Sequence, residues 1–86
     1  MRRPAAQRQP RHLLRWIFQR GNHRLTCRVD QRPGDQTFTL SLVPHSTVGA
    51  GIAETFTSAW SAFRRHAIIA SELRRSGWTL AAYTAD

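Results

Sequence analysis

Four histidines, at positions 12, 23, 45 and 66, and a single cysteine, Cys27, are the side chains best suited to ligate a metal or act as a nucleophile. Their spacing serves neither purpose. No two histidines fall at i, i+4 on one helical turn, and HExxH, CxxC and EF-hand patterns are absent from the sequence. His23 and Cys27 share one face of an extended segment, but at ~3.3 Å per residue they lie about 13 Å apart, too far for one ion. Cys27 alternates with apolar neighbours and reads as an inert buried thiol. His66 falls on the inner flank of a helical pattern and reads as a partly buried, hydrogen-bonded imidazole rather than a ligand. The acids Asp30, Asp35, Glu54 and Glu72 form no spaced pair for general acid–base work. Gly49-Ala50-Gly51 is a lone GxG, without the strand, glycine-rich turn and lysine of a phosphate cradle. Neither catalysis, nor a metal, nor a cofactor is expected.

What remains is charge. All 13 basic residues are arginine, and the formal charge is +8. Residues 1–32 hold nine arginines against one acid, whereas residues 33–86 hold four of each. Such a balance suits nucleic acid, an anionic surface or an acidic protein. A codon pool that favours arginine explains the missing lysines but not their crowding into one third of the chain. The candidate anion contacts are Arg11, Arg15, Arg24 and Arg28. Arg74 and Arg75 close a helix, where cations suit the dipole, and Arg75 follows Glu72 by three. Arg64 and Arg65 have no such structural duty. With the outward Ile68 they are candidate contacts for a protein partner.

These side chains must be positioned by a sheet and one helix. Leu13 to Arg20 alternates as a strand, Gly21-Asn22 is a two-residue hairpin turn, and His23 to Asp30 returns. The turn pairs Leu14 with Val29, Trp16 with Cys27 and Phe18 with Leu25, so every apolar partner lands on one face. It also sets Arg15 opposite Arg28 on the other face, beside Arg24, Leu13 and Ile17. Arg32-Pro33-Gly34-Asp35 is the next turn. It pairs Val29 with Phe38, Cys27 with Leu40 and Leu25 with Leu42. Residues 44–50 form a loop. Residues 51–56 read as a fourth strand in preference to an early start of the helix near Ile52, because Gly49 and Gly51 make a poor helix entry.

The helix spans Thr57 to Gly77, with Thr57 as N-cap and Gly77 in the left-handed position that ends it. Its apolar face is broad: Ala59, Trp60, Ala62, Phe63, His66, Ala67, Ala70 and Leu73. Residues 78–83 follow as a short extended piece, an edge strand in this reading. The core is then Leu14, Trp16, Phe18, Leu25, Cys27, Val29, Phe38, Leu40 and Leu42 against Trp60, Phe63, Ala67, Ala70 and Leu73.

The expected fold is α+β: an antiparallel meander of three to four strands with one long C-terminal helix across one face and a short strand after it. Residues 1–12 read as a disordered basic arm, 13–83 as one domain and 84–86 as a frayed tail. No apolar run is long enough for a membrane span, and one cysteine suits a reducing, cytoplasmic setting. In predicted topology the unit resembles the sheet-plus-helix domains of the Pur and Whirly single-stranded nucleic-acid binders. The function expected is a small non-enzymatic interaction module that self-associates as a homodimer or binds a protein partner. The alternative is binding of single-stranded nucleic acid through the arm and the basic outer sheet face.

Overall fold

The computed structural model describes residues 11–34 and 36–84. The elements in chain order are β1 (Arg11–Arg20), β2 (His23–Gln31), β3 (Phe38–Pro44), β4 (Ile52–Phe56), α1 (Ala59–Arg75) and β5 (Thr79–Thr84). The strands form one antiparallel sheet in the order β4-β3-β2-β1-β5, with α1 packed on one face. The α+β reading therefore stands, and the strand number is corrected from three or four to five. β1 to β4 are the meander, and of residues 51–56 the strand takes Ile52–Phe56. The piece after the helix returns across the sheet to pair with β1, forming an edge. β1 begins at Arg11, so Arg11 and His12 belong to the sheet and not to a disordered arm; residues 1–10 lie outside the described residues. Thr84 belongs to β5, and residues 85–86 are likewise outside the description.

The first hairpin has the register that its turn dictates. Gly21 sits at φ 60°, a region that favours glycine, and Leu14↔Val29, Trp16↔Cys27 and Phe18↔Leu25 face one another. A bulge between His12 and Leu14 interrupts the ladder. It turns Leu13 toward the core beside Leu14, so Leu13 leaves the outer face assigned to it. The β2–β3 register differs from expectation by two residues: Val29 pairs with Leu40, Cys27 with Leu42 and Gln31 with Phe38. The connection is longer than a tight turn, closed by the Arg32 amide donating to the Thr37 carbonyl at 2.9 Å. A slip of two preserves which side each residue faces, so hydrophobic alternation could not detect it.

α1 is capped one residue later than expected. Ser58, not Thr57, accepts from the Ser61 amide at 3.1 Å. At the other end Gly77 adopts φ 94°, its amide donates to Arg74, and the Trp78 amide reaches back to Leu73 at 3.0 Å. This pair of bonds is the Schellman arrangement, and it aims the chain into β5.

The core consists of Phe18, Leu25, Cys27, Val29, Phe38 and Leu40 from the sheet and Ala62, Ile69, Ala70 and His66 from the helix. Leu14, Trp16, Leu42 and Leu73 are partly buried around them. The helix presents a different line from the expected one. Trp60 is 71% exposed, Phe63 38%, and Ala67 is exposed, so none of the three packs in the core. Ile69, absent from the expected face, is buried. Alanines at 62 and 70 let the helix backbone approach the sheet closely, which Trp60 and Phe63 would prevent. On the β4 side Arg65 Nε meets Glu54 Oε2 at 3.1 Å and helps to hold this rotation.

Candidate nucleic-acid interface

α1 packs on β2, β3 and β4. On its other flank a cleft of about 470 Å³ opens toward β1, lined by Trp16, Ala67, Ala70, Ser71, Arg74 and Arg75. Trp60, Phe63, Ala67, Ala70 and Arg74 follow one line along the helix, at steps of three and four residues. The apolar stripe legible in the sequence is thus split. One part is buried on the sheet, Ala67 and Ala70 line the cleft, and Trp60 and Phe63 stay exposed nearer the start of the helix.

The far side of the cleft is Trp16 of β1, with β5 paired alongside it. Trp16 is paired with Tyr83, and Phe18 with Leu80, so all four share the helix side of the sheet. The Trp16 ring lies 6.3 Å from Tyr83, 6.1 Å from Phe18 and 4.9 Å edge-on from His66. Tyr83 is 68% exposed. The Arg74 guanidinium stands 5.9 Å from the Trp16 ring centre, within cation–π range. Trp16 Nε1 is buried without a hydrogen-bond partner among the described residues. At the lower end Arg20 lies 5.0 Å over the Trp78 ring and donates to the Ser76 carbonyl at 3.0 Å, tying β1 to the helix terminus.

No carboxylate lines this cleft among the described residues. Asp30 is held on the opposite face, and Glu54 is held on the opposite flank of α1. The arrangement therefore joins two ingredients in one place: aromatic rings with accessible edges or faces, and unneutralised guanidinium groups. Together they stack flat rings and attract phosphates.

The residues singled out from the sequence divide into groups. Arg15 and Arg28 face one another on the outer side of the sheet as expected, with Arg24 on the same side. Arg28 is half-buried, and its Nε is 3.2 Å from Asp30 Oδ2; the other oxygen of Asp30 contacts the His12 ring. Arg11 is separated from them. Beyond the bulge it pairs with Gln31, whose register places it on the helix side. No aromatic residue joins the outer group. Of the partner-contact candidates, Arg65 is engaged by Glu54, while Arg64 is exposed and Ile68 is 42% exposed.

Trp16, Arg74 and Tyr83 are the residues that sequence reasoning did not bring together. Trp16 was placed in the core, Arg74 at the helix terminus, and Tyr83 at an edge. A signal was present: eight residues on one apolar helix face are more than a small sheet can cover.

The two other reactive groups, Cys27 and His66, are buried. Burial pushes the Cys27 thiol up to about 11. Burial also lowers His66, against an opposing hydrogen bond from its Nε2 to the Cys27 carbonyl at 3.4 Å. Among the described residues no three of His, Cys, Asp and Glu gather as a metal site, and no helix is long and apolar enough to cross a membrane. Neither protein-family models, nor curated proteins, nor solved structures give a match to this chain.

Proposed function

We propose that this protein is a small non-enzymatic module that binds single-stranded nucleic acid in the cleft between α1 and the β1–β5 side of the sheet. One observation carries the reading: the Arg74 guanidinium over Trp16, beside exposed Tyr83, in a cleft without a carboxylate among the described residues. Unpaired bases offer the ring faces that a duplex hides in its stack, and the phosphates between them suit Arg74 and Arg75. This moves the site from the outer arginines to the opposite side of the sheet, where stacking partners exist. A reducing, cytoplasmic setting accords with the lone buried thiol.

The test is fluorescence anisotropy with a labelled single-stranded oligonucleotide over a salt series. Affinity is expected to fall steeply with salt and to exceed that for duplex of the same sequence. Binding that ignores salt, or that survives combined Arg74→Ala and Tyr83→Ala substitution unchanged, would sink the proposal.

Self-association is the second reading, favoured by β5. Thr79–Thr84 carries neither charge nor proline, so little guards this sheet edge against a second copy. It ranks second because the register shift opposite Ile17 and Phe18 kinks the strand and shortens its regular edge. Sedimentation showing a monomer at high concentration would remove it. A protein partner at Arg64 and Ile68 has one exposed apolar side chain behind it, which is a slight basis.

A further inference from the structure

The outer face of the sheet carries an electrostatic conflict that the cleft does not use. Arg15 stands directly opposite Arg28, and like charges facing each other across a ladder are destabilising. Arg24 lies on the same face, one pair beyond Ile17 and Thr26, opposite Gln19. The described acids do little to relieve this. Asp30 is shared between the His12 ring and Arg28 Nε, and neither Arg15 nor Arg24 has an ion-pair partner among the described residues. The rest of the surface mixes hydroxyls with two apolar side chains: Thr26 bonded to His45 at 2.7 Å, Thr39, Ser41 and Thr55, with Ile17 and Val43 on either side of Thr26. From Arg24 to Arg28 is about 13 Å along β2 at ~3.3 Å per residue, a span suited to successive phosphates rather than to one small anion.

We infer that this outer face is a second nucleic-acid site, contacting phosphates through Arg15, Arg24 and Arg28, so that one chain holds two strands at once, one on each side of the sheet. It rests on the proposed cleft site for the first strand. The chemistry of the two sides differs. The cleft supplies rings and guanidinium groups, so it grips bases and phosphates. The outer face supplies guanidinium groups and hydroxyls, with no Trp, Tyr or Phe among its described residues, so it contacts the backbone alone and ignores sequence. Bound phosphate also relieves the Arg15–Arg28 repulsion, which gives the free protein's conflict a use. A module with two such sides bridges strands.

The experiment mixes full-length protein with two non-complementary single-stranded oligonucleotides, one carrying a donor dye and the other an acceptor, and measures energy transfer and stoichiometry at low salt. The wild-type chain is expected to bring the dyes together and to bind two strands per protein. Arg15→Ala with Arg24→Ala is expected to abolish energy transfer, leave one strand per protein and keep the anisotropy-measured affinity of the first. Both residues are exposed, and circular dichroism checks that the fold is retained. One strand per wild-type chain, or energy transfer indifferent to the double variant, would overturn the inference while leaving the cleft intact. Lost energy transfer with one strand still bound per protein in the Arg74→Ala, Tyr83→Ala variant would support a functioning outer face. If the wild type binds no oligonucleotide, the cleft reading fails and takes this inference with it.

Discussion

On its β4 flank α1 is closed against the sheet, with Arg65 and Glu54 joined at 3.1 Å and Ile69 buried beneath. On its β1 flank the same helix leaves a cleft lined by Trp16, Ala67, Ser71 and Arg74, and in its first turn Trp60 is 71% exposed. The two flanks are built from similar apolar material. They differ in the size of the residues and in what they meet. Ile69 and the Arg65–Glu54 pair fill one side, and the small Ala67 and Ser71 leave room on the other between Trp16 and Arg74. The closed flank supplies stability. The open one supplies surface.

The largest test of this contrast is stability. Phe18→Ala, on the closed core, is expected to cost about 3–5 kcal/mol, whereas Trp60→Ala on the open flank should stay within about 0.5 kcal/mol. Urea denaturation of the two variants decides it; comparable losses would mean that the open flank is core after all.

Affinity comes next. Tyr83→Ala is expected to weaken oligonucleotide binding by about 1–3 kcal/mol, the worth of one stacked base. Arg74→Ala should lower the slope of log affinity against log salt by about one unit. Trp60 and Phe63, further along the same line, should show smaller losses in the same titration.

Acid sharpens the comparison from the buried side. His66 is held neutral by burial, with the Trp16 ring edge and the Cys27 carbonyl as its neighbours. Its folded pKa lies below its unfolded value of 6.5, so the unfolded chain takes up the proton first as pH falls. Stability should therefore be unaffected by this group above pH 6.5 and decline below it, until pH reaches the lower folded value. Thermal melts of wild type and His66→Gln from neutral to mildly acidic pH measure this; the variant's decline should be shallower.

The smallest effect belongs to the ion pair. Arg65 and Glu54 are each 41% exposed, and solvent screens them, so Glu54→Gln should cost no more than about 1 kcal/mol. A larger loss would show that the pair, rather than alanine packing, sets the rotation of the helix.

The hairpin was legible in the sequence because a two-residue turn at Gly21-Asn22 leaves one register for the apolar residues of β1 and β2. The C-terminal stop of α1 was legible for a similar reason: Gly77 alone could take the left-handed position next to Trp78. The β2–β3 register was not, since a two-residue shift leaves every side chain on its own face. Nor was the pairing of β5 with β1, because an extended piece after a helix can lie against either edge of a sheet.

Local chemistry, then, was enough to specify which side chains are apolar, where the chain turns and which arginines oppose one another in the first hairpin. Those features depend on neighbours close in sequence or on a fixed turn. The rotation of α1 depends instead on how near two backbones can come once Ala62, Ala70 and Ile69 meet the sheet, a competition among residues far apart in the chain. That competition decided that Trp60 and Phe63 face solvent, and it created the cleft on which the functional reading rests.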